Sequence, residues 1–421
     1  MKKLLLAAGI GTVLCFVVFF LQGCLKDQRT HTYTIMRPIY QTVEAAKANI
    51  KSNAPKTIES PGKIFIYGDY VFLNEFDKGV HIIDNSNPAN PIQKAFIDIP
   101  GNQDIAVKGN VLYADMYGRL VSVDISDPLN AKLLKDVPDV FPERSYQGGF
   151  RANSTMIIVG WEKKDTTVAE SLAPSNDYIL FAQFDNRGVI TPASLYSSAK
   201  AAPVGIGGSL ARFSIVNDYL YAVDHHNLRS VSISNPNDPK VVGNWFAGYD
   251  IETIYPLKDK LFLGSMEGLY IYDISNPTSP VAKGNFIHAK ACDPVVADEK
   301  YAYVTLKAGT TCGSTTNELE IVDIADVTRP SLLKTYAMSG PSGLSKDGNT
   351  LFVCDGKDGL KIYDATDYSK LSLIKQISNI EPLDVIAWNR NALVVTKDGL
   401  YQYDYSDLAN IHRVSMITVS K

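Results

Sequence analysis

Leu120-Val121-Ser122-Val123-Asp124-Ile125-Ser126-Asp127-Pro128 joins an alternating run to an Asp-Ile-Ser-Asp-Pro turn, and variants of it return along the chain. Ile83-Asp84-Asn85-Ser86-Asn87-Pro88, Val231-Ser232-Ile233-Ser234-Asn235-Pro236 and Tyr272-Asp273-Ile274-Ser275-Asn276-Pro277 are near copies. Val322-Asp323-Ile324-Ala325-Asp326, Tyr363-Asp364-Ala365-Thr366-Asp367 and Tyr403-Asp404-Tyr405-Ser406-Asp407 follow the same plan, and Gln183-Phe184-Asp185-Asn186 is a degraded version. The anchors fall at 84, 124, 185, 232, 273, 323, 364 and 404. A period of about 40 to 50 residues marks a unit that cannot bury its own faces and must stack on its neighbours.

Within the second copy, Asp104-Ile105-Ala106-Val107-Lys108 reads as a short strand and Gly109-Asn110 as a turn. Val111 to Asp115, Leu120 to Ile125 and Ala131 to Val137 supply three more strands, separated by Tyr117-Gly118 and by Ser126 to Asn130. Each turn carries Gly, Asn, Asp or Pro where the backbone needs a positive or fixed φ. Four short antiparallel strands repeated in series predict an all-β chain, a β-propeller of four-stranded blades. Counting anchors gives eight blades over residues 58–421, or seven if the enlarged third copy is an insertion. Every blade owns four strands, so ring closure is expected from face packing between first and last blades. The anchor aspartates read as turn formers that accept N–H bonds from the residues after them.

These residues resemble the LVIVD-repeat propeller proteins, named for third strands such as Leu120-Val121-Ser122-Val123-Asp124 and Leu319-Glu320-Ile321-Val322-Asp323. The likeness runs from Met36-Arg37-Pro38-Ile39-Tyr40 to the C-terminus. It implies a propeller, exported and often lipid-anchored, and names no activity.

The amino terminus reads as a sorting signal over residues 1–23. Lys2-Lys3 precedes an apolar run from Leu4 to Leu21, and Leu21-Gln22-Gly23-Cys24 resembles a bacterial lipobox. Cys24 would carry the lipid and hold the protein on a membrane. A single transmembrane anchor is the alternative, but a Cys placed where the apolar run stops has no role in one. Lys26-Asp27 looks like the signal that sends some lipoproteins to the outer surface, so an outer-membrane, outward-facing location is expected. Residues 24–57, punctuated by Pro38 and Pro55, read as a tether, with a strand at Thr32 to Met36 and helical turns from Val43 to Ile50.

The 421 residues carry a net charge of −4, which becomes −6 once residues 1–23 with Lys2 and Lys3 are removed. No basic run exists to meet phosphates, so nucleic acid is excluded as a partner. HExxH, GxSxG, CxxC, Walker and GxGxxG signatures are all missing, and no catalytic residue, metal site or cofactor is assigned. A structural cation has no support beyond scattered acids.

In a propeller, the start of each inner strand and the turn between second and third strands lie at one mouth of the ring. Asp104, Asp250, Asp293 and Asp384 fall near inner-strand starts, with Arg212 at the equivalent place in blade four of the eight-blade count. They form a partial ring suited to a cation or polar ligand, or they cap the adjacent turns. Cys292 and Cys312 also belong to this mouth on neighbouring strands, which makes a disulfide plausible in an exported protein. It would close about 20 residues and stabilise by about 3 kcal/mol. Two free thiols or a metal pair are the alternatives. The insertion from Trp161 to Asp177 should overhang the same mouth, offering Trp161 as an aromatic contact or as a ring packed under its own loop. The expected function is non-catalytic binding or scaffolding with a protein or glycan ligand. Alternatives are a hydrolase or lyase using the channel carboxylates, or a structural part of an envelope complex.

Overall fold

The computed structural model describes residues 30–142, 144, 146, 150–169, 206–288, 294–309 and 315–419. Seven antiparallel four-stranded sheets occupy 61–98, 105–137, 213–246, 251–287, 295–337, 344–377 and 382–418. These are blades 1 to 7, and the eighth blade favoured from the repeat count is not among them. The third copy is an insertion. Its Gln183-Phe184-Asp185-Asn186 signature lies outside the described residues, and the long strand among the described residues of the span, Met156–Ala169, pairs with the N-terminal strand Thr30–Thr42. The physical reason lies in burial. From Glu162 to Thr167 this strand is polar and mainly exposed, so it lacks the two apolar faces a blade needs.

The middle strands of each blade are buried on both sides, as in Tyr70–Glu75, Val111–Met116, Lys260–Ser265 and Asn391–Thr396. Inner strands neighbour one another in blade order, and blade 7 returns to blade 1. The closure has the expected form. Ile64, Ile66, Val71 and Leu73 of blade 1 share one apolar cluster with Ile386, Leu393, Val395 and Leu400 of blade 7. Asn85 and Gln402 add reciprocal amide bonds of 3.2 and 2.7 Å across that seam.

The anchor aspartates behave as turn formers. Asp84, Asp124, Asp273, Asp323, Asp364 and Asp404 each accept the N–H two residues on, at 2.7 to 3.1 Å. A second turn follows at once, in which Asn87, Asp127, Asn276, Asp326, Asp367 and Asp407 do the same at 2.9 to 3.2 Å.

Part of the span expected to be a spacer is packed. The helix Val43–Lys47, capped by the Thr42 hydroxyl, sends Val43 and Ala46 into the core shared by blades 1 to 3, and Ile50 joins them. Ser52–Asn53 then adds a short strand outside Ile92–Asp98, and the Ser52 hydroxyl donates to Pro128 O of blade 2 at 2.6 Å. Residues 30–37 with 162–169 form a separate unit, a polar ribbon in which Thr34 donates to Asp165 at 2.7 Å.

Candidate functional site at the channel mouth

The propeller axis is filled by the chain itself. Ile206–Gly207 pairs with Ile66 and Phe65, adding a strand inside the innermost strand of blade 1. The next residues cross the ring before blade 3 begins at Phe213. Gly208 N donates to Ile64 O of blade 1 at 3.2 Å, and the Ser209 hydroxyl reaches Asp384 of blade 7 at 3.1 Å. Leu344 N of blade 6 donates to Ser209 Oγ at 2.6 Å, and Ile254 N of blade 4 to Ala211 O at 3.2 Å. Ser209, Leu210 and Ala211 are buried. Glycine is needed at 208, because an added Cβ would overlap Asp384 Oδ2.

Two of the sequence-selected acids hold this segment. Asp104 Oδ2 accepts Phe213 N at 3.0 Å and Arg212 N, while its Oδ1 takes Ile105 N at 2.8 Å. Lys63 completes the site with a buried ion pair at 3.0 Å. Burial pushes the Asp104 carboxyl up and the Lys63 amine down, each opposed by the charge of the other. Asp384 Oδ1 accepts Val385 N at 2.9 Å as well as Ser209, and burial pushes this carboxyl up to about 7.

Arg212 ends the segment just before blade 3, and Asp250 lies in the linker from blade 3 to blade 4. Asp250 adopts φ +47°, and its carbonyl accepts Met266 N at 3.1 Å. Asp293, Cys292 and Cys312 lie outside the described residues, as does Cys24. Trp161 packs edge-on against Tyr146 and Phe150, with ring centroids 5.1 and 6.0 Å apart. Arg144, in the segment after blade 2, bonds Asp77 at 2.6 Å, Asp115 at 3.1 Å and Gly101 O at 2.6 Å. Among the described residues no three His, Cys, Asp or Glu side chains are arranged to hold a metal ion. Cys354 is a buried free thiol.

Sequence reasoning missed the groups around Asp250. Burial raises Glu252 to about 7, with Arg212 opposing and Asp250 adding to the shift. Burial, then the Arg212 charge, lowers His225. Farther out, Phe246 and Tyr249 are 59 % and 57 % exposed. Their rings meet at 5.2 Å and 74°, and the exposed His226 ring lies 5.8 Å from Tyr249 and 6.4 Å from Phe246. The signal was present in the blade-to-blade linkers. Phe246-Ala247-Gly248-Tyr249-Asp250 carries two aromatics where the linkers from blade 5 to 6 and from blade 6 to 7, Ser339-Gly340-Pro341-Ser342 and Ser378-Asn379-Ile380-Glu381, carry none.

The LVIVD repeat matches residues 61–98, 101–137, 207–246, 262–287 and 289–338. Among solved structures, a protein from Lactobacillus plantarum is 12 % identical, with a TM-score of 0.54 over 85 % of this chain and 97 % of that one. The computationally designed Ika8 protein is 7 % identical, with a TM-score of 0.51 over 86 % and 89 %. Both are likenesses of fold alone. No curated protein matches the chain.

Proposed function

Because this chain is an LVIVD-repeat β-propeller protein, we propose that it is a non-catalytic binding or scaffold propeller. In this reading a lipid on Cys24 anchors it, exported, at the outer membrane, and its channel mouth is offered to a protein or glycan ligand. The observation that carries the reading is the crossing of the ring by residues 206–213. Asp104 and Asp384 are bonded to that segment instead of standing open to a ligand, which favours recognition on the rim. Rigid blades under exposed linker residues suit recognition.

The hydrolase or lyase reading draws on Glu252 and Asp384, both held near neutrality, where a carboxyl can act as general acid or base. Neutralising Glu252 and Asp384, with Asp104 and Asp250, separates the two. Turnover of a glycan or lactone that disappears with those changes would favour the enzyme, whereas ligand capture with no turnover favours binding. Anchoring has its own test. Cys24→Ser should move the protein from the membrane pellet to the soluble fraction, and continued pelleting in carbonate would point to an uncleaved apolar span.

A further inference from the structure

We infer that the rim over blades 3 and 4 is a subsite for a neutral oligosaccharide, with Phe246 and Tyr249 as stacking surfaces and Arg212, His225 and Asp250 reading hydroxyls. This rests on the binding reading above and names its ligand class.

The linker that displays Tyr249 is held from both sides. Ala247 N donates to His226 O at 2.8 Å and Ile251 N to His225 O at 2.9 Å. The Ser265 hydroxyl donates to Tyr249 O at 2.9 Å. Gly248, at φ +150°, lies over the Tyr270 ring, where a Cβ would come within 2.9 Å of the ring edge. Asp250 adopts the left-handed backbone at φ +47°, a conformation that Asp and Asn tolerate. The rings are therefore presented in a fixed arrangement, which lowers the ordering cost of binding.

Size and charge select the occupant. Two exposed rings and a histidine edge are few beside the roughly 20 to 30 residues a side of a stable protein interface. Protein interfaces also deplete charged side chains from their centres. Beside the patch stand Arg212, His225, Asp250 and Glu252, with the Arg212 and Asp250 charges both acting on His225 and on Glu252. Both charge signs are present, giving donors and acceptors side by side. A sugar hydroxyl uses both, and a pyranose ring offers an apolar face to an aromatic ring.

The test uses the full chain in a polyoxyethylene detergent, which carries no sugar, titrated calorimetrically with neutral hexose and N-acetylhexosamine oligosaccharides of four to six units. At least one should bind. Phe246→Ala and Tyr249→Ala should each weaken that binding about tenfold or more. Asp250→Asn should weaken it too while keeping the left-handed backbone that Asn tolerates. Trp388→Ala, at the far end of the inner strand of blade 7 and 48 % exposed, should change nothing. Thermal melts of each variant report the fold. If no oligosaccharide binds at millimolar concentration, or if binding survives Phe246→Ala and Tyr249→Ala, the subsite is overturned. Loss of a protein ligand on those same substitutions would also overturn it, but would leave the binding function standing.

Discussion

Asp384 concentrates its hydrogen bonds on one oxygen. Oδ1 accepts Val385 N and Ser209, while Oδ2 has no donor among the described residues. Burial then favours the protonated form and holds the group near 7, against an ordinary 3.8. Between about pH 4 and pH 7 the folded protein keeps a proton that the unfolded chain has released. Stability from this group is full below about pH 4, declines through that window and is lost above 7. Asp384→Asn should flatten the dependence and raise stability at pH 8 by up to about 4 kcal/mol. Urea unfolding of both proteins at pH 5 and pH 8 measures this, and parallel pH dependence would contradict the assignment. Its place at an inner-strand start was readable in the chain, but its partner was not. Ser209 lies 175 residues away, and no local pattern encodes that contact.

At the scale of the element, the double turn was legible because each acceptor finds its donor two residues later. Periodicity and local chemistry agree there, which makes the repeat detectable without coordinates. Asp273 shows the consequence for ionisation. Its bonds to the Ser275 hydroxyl and N–H, 2.6 and 2.9 Å, hold the carboxyl down at about 2. Asp273→Ala should cost about 1 kcal/mol at pH 7, seen as a shift in urea midpoint. The penalty should shrink as the pH falls from about 4 towards 2, where the native carboxylate itself protonates. Equal penalties at pH 7 and pH 2 would argue that the turn is held by something other than the carboxylate. A second element-scale device was hidden. The third and fourth strands of every blade slip register by one residue near the same place, from Ile82/Ile83 in blade 1 to Gln402/Tyr403 in blade 7. A bulge adds twist and bend, but the extra residue leaves no mark in an already irregular outer strand.

For the whole molecule, the count of seven rather than eight turned on one degraded copy. Spacing alone could not separate a weak blade from an insertion, because both lengthen the interval between anchors. The seam was easier to foresee: four strands per blade leave no strand to share, so faces must meet. Leu393 sits in that seam, buried with Ile64, Leu73 and Ile386. Leu393→Ala should cost about 3 kcal/mol, and the loss should be felt unevenly. Hydrogen exchange should quicken in Pro61–Tyr67 and Pro382–Trp388 more than in Ile251–Leu257. Uniform acceleration around the ring would show that the seam is no weaker than the other joints.

The segment from Ile206 to Arg212 emerges in synthesis after blades 1 and 2, yet its neighbours include strands of blades 4, 6 and 7. Its hydrogen bonds stay incomplete until the inner strand of blade 7 has been made. A nascent chain therefore holds a buried-to-be serine and a glycine pair in water while later sheets assemble around them, like a shaft waiting for its wheel. Any truncation ahead of residue 382 removes the carboxylate that receives Ser209, so a shortened product loses more than one sheet: it also forfeits the proof that assembly has finished.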